Sequence, residues 1–273
     1  MHATDAPSPA ARREGFLVGG AVGAARAAGS APRGRRHAAV ALGDALLEEL
    51  LGGGVDLRRL AGRWVRWHRD DGFGADAALA EALAHLEAFD APPPRLAAPS
   101  AWALVAALPA ALAAASPRSM VSGAFHTARL VDPDPVAGLA AVSVAVAAAR
   151  YLEGNRDVIP EVLALLRSNN APAAVYDRIA DIVRLPRARA APPGPGTPAL
   201  DVAAWALRMA EHERDGVAAL EGLAHAGTTA TAGAVLGALL GARDGLASWP
   251  AHWMPASDPD VAGRRRVAEQ LSA

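Results

Sequence analysis

Apolar residues recur along this chain at three- and four-residue spacing, and alternation with period two does not persist, so the pattern predicts helices and almost no strand. Alanine and leucine dominate while β-branched and aromatic residues are few, which favours the same reading. Helices are expected over 14–28 and 37–51, the first closed by Gly29 and the second by Gly52-Gly53-Gly54, because three glycines cannot continue a helix. Asp56 opens a helix carrying Leu60, Trp64 and Trp67 on one side, and Asp76 caps the next, to Phe89. Further helices are expected over 101–114 (split by Pro109), 119–130, 135–152, 158–166, 173–183, 200–213, 217–224 and 231–242. Pro92-Pro93-Pro94 and the stretch 186–198 read as loops, since proline removes a donor and fixes φ.

The expected fold class is therefore all-α: a single-domain orthogonal multi-helix bundle over 13–255, preceded by a disordered tail over 1–12 and followed by a C-terminal tail or short helix over 256–273. A linker at 186–198 would leave too few residues after it for a comfortable second core, and no fixed-period repeat marks a solenoid.

Composition narrows the chemistry. The 273 residues are 52% hydrophobic with a formal net charge of −1, enough for a large core and no sign of a polyelectrolyte, so neither nucleic acid nor an anionic membrane is the expected partner. All 27 basic residues are arginine, which excludes a P-loop, a Schiff-base lysine and a Ser-Lys hydrolase, each of which needs an ammonium nitrogen. Cysteine is absent, which removes disulfides, thiol nucleophiles and thiolate metal sites. Arg12-Arg13 before the apolar run 16–25 superficially resembles a twin-arginine export signal, but the run also fits a first core helix, which is the favoured reading, and a cytoplasmic location is expected. The 101–115 segment is too short to span a bilayer, so no membrane span is expected.

One stretch carries more information than any other. Gly227-Thr228-Thr229-Ala230-Thr231 leads into a helix of small residues ending at Gly241-Ala242, and Pro250 and Trp253 follow. It resembles the C-terminal signature of the ADP-ribosylglycohydrolase family, G-D-T-D-T, a small-residue helix ending in G-A, then P-x-x-W. Thr228 and Ala230 stand at the two aspartate places. Four further segments carry the likeness. Gly15 to Ala24 resembles the opening helix ending in G-D-A-x-G, with Ala24 for the aspartate; the helix near His37 follows where the family has T-D-D-T, here Gly34 to His37 or Arg33 to Arg36. Leu130-Val131-Asp132-Pro133-Asp134-Pro135 is similar to L-T-H-x-D-P, and Leu200 to Leu207 matches the helix before the last motif. Between Glu14 and Asp44 there is no Asp or Glu in any register.

Membership implies a helical fold and, in typical relatives, two Mg²⁺ held between the T-D-D and D-x-D-T motifs for cleavage at the anomeric carbon of ADP-ribose. Mg²⁺ requires hard oxygen ligands in near-octahedral array. The substitutions imply no binuclear site, no cofactor and a pseudo-hydrolase with an empty or repurposed cleft. The alternatives are a metal-free enzyme of changed chemistry acting on a small metabolite, a non-catalytic ADP-ribose or nucleotide-binding module, and a structural or interaction protein.

Candidate ligand-binding residues are Arg35, Arg36, His37, Thr228 and Thr231, which would hold a small anionic or nucleotide-like ligand; a solvated basic turn is the plainer reading of the first three. His126 and Asp132 are the acid/base candidates, set against a structural histidine and an Asp-Pro-Asp-Pro turn with a helix cap. Gly233, Gly237 and Gly241 form a stripe expected to admit a close neighbouring helix, and Trp249 and Trp253 are expected to close the core before they stack a base.

Overall fold

The structure, a computed structural model, describes residues 6–28, 36–112, 116–186, 191–247, 249–254 and 259–271. Among them lie thirteen α-helices and no strand. They are α1 (Pro9–Ala28), α2 (Ala38–Leu51), α3 (Leu57–Asp70), α4 (Ala77–Phe89), α5 (Trp102–Ala107), α6 (Pro117–Val131) and α7 (Pro135–Leu152). Then come α8 (Ile159–Ser168), α9 (Ala173–Arg184), α10 (Ala199–His212), α11 (Gly216–His225), α12 (Ala230–Asp244) and α13 (Pro259–Gln270).

Local chemistry sets most of the starts. Asp56 accepts from the Arg58 and Arg59 amides at 2.9 and 3.0 Å, Asp76 from Leu79 at 2.9 Å, and Asp134 from Val136 at 2.8 Å with Pro135 in the first turn, so donors without intrahelical partners are satisfied by side-chain oxygens. After α5 the chain tightens into a 3₁₀ turn, Leu108–Leu112, around Pro109. Helix α1 begins at Pro9, inside the segment expected to be a tail, and Arg12 is buried against Gly154; proline suits a first helical turn because its missing N–H has no partner there. The twin arginines thus belong to a core helix. At the other end the segment expected as a tail or short helix holds α13, docked on α1.

The centre of the molecule is the antiparallel pair α1 and α12. Gly15 faces Gly241, Gly19 faces Gly237 and Gly23 faces Gly233, and a Cβ added at any of the six would overlap the facing carbonyl oxygen. Only glycine permits two helix backbones to approach this closely, where Cα–H groups contact carbonyls across the interface. Every residue of α12 from Ala230 to Arg243 is buried. Helix α7 packs beside it, against α5, α6 and α10. By length and apolarity α7 is the one described helix able to cross a membrane, but 67% of it is buried inside the protein, as a core helix would be.

Arg243 and Glu49 are buried charges that find partners on neighbouring elements. Arg243 donates to the carbonyls of Ala210 and Glu213, filling acceptors at the end of α10, and pairs with Asp244. The Glu49 carboxylate, wholly buried on α2, accepts from Arg59 Nε of α3 at 2.8 and 2.7 Å, and Arg63 Nε, also of α3, lies 2.9 Å away as an ion-pair contact; the Arg59 hydrogen bond, with the charge of both arginines, holds it below the ordinary value of 4.5. Glu49→Ala is expected to cost about 2–3 kcal/mol at pH 7, less than a fully buried pair because Arg59 is half exposed and solvent screens it. A carboxylate with depressed pKa stabilises above its unfolded value and loses that contribution as pH falls through the folded one. Urea titrations at pH 7 and pH 3 should therefore show the wild-type advantage shrinking in acid; an unchanged difference would remove the ion pair as its cause.

Candidate functional site

The turn between α11 and α12 is built for a helix start. Gly227 takes φ +63°, a left-handed conformation that glycine adopts freely, and reverses the chain after α11. Thr229 then caps α12, its hydroxyl accepting from the Ala232 amide at 3.3 Å and lying 2.9 Å from the Thr231 hydroxyl. Thr228 and Thr231 are each 5% exposed. The Thr228 hydroxyl is buried with no hydrogen-bond partner, an uncommon and costly state for a polar atom. Ala230, first in the helix, and Ala24, near the end of α1, are buried and offer methyl groups.

Asp132 closes α6 and opens the turn into α7. One carboxylate oxygen accepts from the Ser100 hydroxyl at 3.2 Å and the other from the Asp134 amide at 3.1 Å. Burial pushes its carboxyl above the ordinary range, and the two hydrogen bonds oppose that shift. The geometry makes Asp132 a turn-former tied to Ser100. Nothing in the local sequence pointed to Ser100, which follows Pro99 with no motif around it.

Other candidates serve the frame. Arg36 is exposed, its amide donating to Asp71 at 3.2 Å and its guanidinium 3.4 Å from the Asp44 carboxylate. His37 caps α2 by accepting the Ala39 amide at Nδ1, at 3.1 Å, which fixes that nitrogen as the unprotonated one. Its ring stands edge-on to Phe73 at 5.6 Å and over Gly74, whose place no side chain could share, and burial lowers its pKa below 6.5. Arg35 lies outside the described residues. His126 is exposed, edge-on to Phe125 at 5.7 Å, whereas its neighbour Thr127 is buried.

Trp249 and Trp253 close over α1 as expected of core residues. The Trp249 ring lies against Gly19, the two indoles meet at 6.2 Å, and the Arg26 guanidinium sits 4.9 Å over Trp253. Among the described residues no three His, Asp or Glu side chains gather as metal ligands.

An all-helical bundle organised on a glycine-faced pair of antiparallel helices, with a threonine-rich turn at the head of the second, is the class of protein defined here. The sequence model described as ADP-ribosylglycohydrolase matches residues 5–272, and the chain belongs to that family. A solved structure described as an ADP-ribosylglycohydrolase-related protein complex is similar at a TM-score of 0.74 and 25% identity, over 96% of this chain and 97% of that one. No curated protein matches the sequence.

Proposed function

We propose that this chain is a member of the ADP-ribosylglycohydrolase family without the family's metal-dependent hydrolysis, a pseudo-hydrolase whose cleft is empty or repurposed. The observation that carries the reading is the head of α12, where Thr228 and Ala230 occupy the aspartate places of the signature. Neutral hydroxyls do not supply the charge that a dehydrated divalent cation needs, and a methyl group supplies no ligand at all. The hydroxyls of Thr229 and Thr231 are engaged with each other, and Ala24 adds a methyl from α1. This donor set does not fit Mg²⁺.

The metal-free enzyme finds less support. Its residues would be Arg35, which lies outside the described residues, and Arg36, His37, His126 and Asp132, which are respectively paired with Asp44, used as a helix cap, exposed, and tied to Ser100. Isothermal titration with Mg²⁺, alongside an assay for release of ADP-ribose from ADP-ribosylated peptides, tests the proposal. No saturable heat and no release above buffer are expected. Stoichiometric Mg²⁺ binding, or release that a chelator abolishes, would overturn it.

A further inference from the structure

Among its described residues, helix α13 is held by one buried arginine and a narrow apolar face. Of its described side chains only Arg264 and Ala268 are buried, with Val267 and Leu271 partly covered. Arg264 crosses to the groove between α1 and α2 and donates to the Leu17 carbonyl, to the Val40 carbonyl at 3.3 Å and to the Asp44 carboxylate. A planar guanidinium suits such a seat, because its fork reaches several oxygens while keeping its charge against a carboxylate. Another tie, Arg265 to Glu14 at 2.8 Å, is more than a third exposed on both sides and contributes little.

The fit beneath this anchor is incomplete. A cavity of about 30 Å³, room for roughly two waters, is lined by Leu17, Gly20, Gly43, Asp44, Ala234 and Arg264 itself. The Arg264 Nε–H is buried without a partner. A helix whose described residues bury few side chains, with a charged anchor that carries an orphaned donor and a cavity behind it, is placed among the segments that open locally before the whole protein unfolds.

We propose that α13 is a releasable latch: its Arg264 fills a guanidinium seat formed by Leu17, Val40 and Asp44, and its release opens the cavity between α1, α2 and α12. Release also changes Asp44, whose other oxygen faces Arg36 at the entry to α2. The latch is thereby linked to Arg36, two residues before α2.

Hydrogen exchange on the full chain tests this. In the wild type, α13 amides should exchange at least about tenfold faster than those of α12, and faster in about 500 mM than in about 50 mM NaCl, because salt stabilises the separated Arg264 and Asp44 charges once opening exposes them. Arg264→Ala should speed exchange in α13 and around Asp44 by a further tenfold or so while α12 is unchanged, whereas Arg266→Ala, at an exposed position, should not. Methylguanidinium should restore protection to Arg264→Ala and methylammonium should not, since only the former reproduces the fork. Should Arg264→Ala not fold, Arg264→Lys keeps the charge without the fork and should speed α13 selectively. Exchange of α13 in step with α12 at both salt concentrations, or equal response to the two amines, would overturn the proposal.

Discussion

Gly237→Ala is expected to destabilise the protein by more than about 3 kcal/mol, while Gly123→Ala should stabilise it by about 0.5–1 kcal/mol; the same added methyl group thus acts with opposite sign. At Gly237 the new Cβ overlaps the Gly19 carbonyl, and the obstacle is backbone, which cannot swing aside as a long side chain does. Relief requires the two helices to separate, which loosens the contacts of Gly15 with Gly241 and Gly23 with Gly233 on either side. At Gly123, in α6, nothing lies within 4 Å of the added atom, so the entropy removed from the unfolded chain dominates. Urea unfolding of the two variants beside the wild type reads both values. A Gly237→Ala loss under about 1 kcal/mol would mean that α1 and α12 sit farther apart than described.

The close pair was legible in the sequence because its signal is local: glycine at every fourth place along α12. So were the caps Asp56, Asp76 and Asp134, since a cap and its amides lie within three residues. What stayed hidden depends on distant partners. Asp44 meets Arg264 across 220 positions, Asp132 meets Ser100 across 32, and Arg36 meets Asp71 across 35, and no periodicity encodes such pairs. The exposure of His126 is a different case. In α6 the buried residues Met120, Ala124, Thr127, Ala128 and Val131 follow the three-and-four spacing of one helix face, and His126 falls outside it. That pattern was available to the sequence but is faint, because alanine and threonine mark a buried face weakly. The turn before α12 was legible as a family signature, yet the partnerless Thr228 hydroxyl appears only in three dimensions.

Thr228→Asp combined with Ala230→Asp restores the family letters at the head of α12, and it is expected to cost about 3 kcal/mol or more at pH 7. Both positions are buried, at 5% and 8% exposure, so each carboxylate loses water. The start of a helix favours negative charge by only about 0.3–1 kcal/mol, too little to offset that loss. Two carboxyl groups so close in the chain also raise each other's pKa. An acid whose folded pKa is raised above its unfolded value destabilises increasingly as pH climbs through that window, so the variant should be closer to wild type at pH 5 than at pH 7. In a competent metal site a dication would cancel these costs. On the reading proposed here it does not, because Ala24 still offers a methyl group and no Asp or Glu lies between Glu14 and Asp44 to complete the ligand set. Adding about 10 mM Mg²⁺ should move the melting temperature of the double variant by less than about 1 °C. Recovery of wild-type stability in Mg²⁺ would show that two carboxylates suffice to rebuild a metal site, which would confine the loss to Thr228 and Ala230 and leave the rest of the cleft competent.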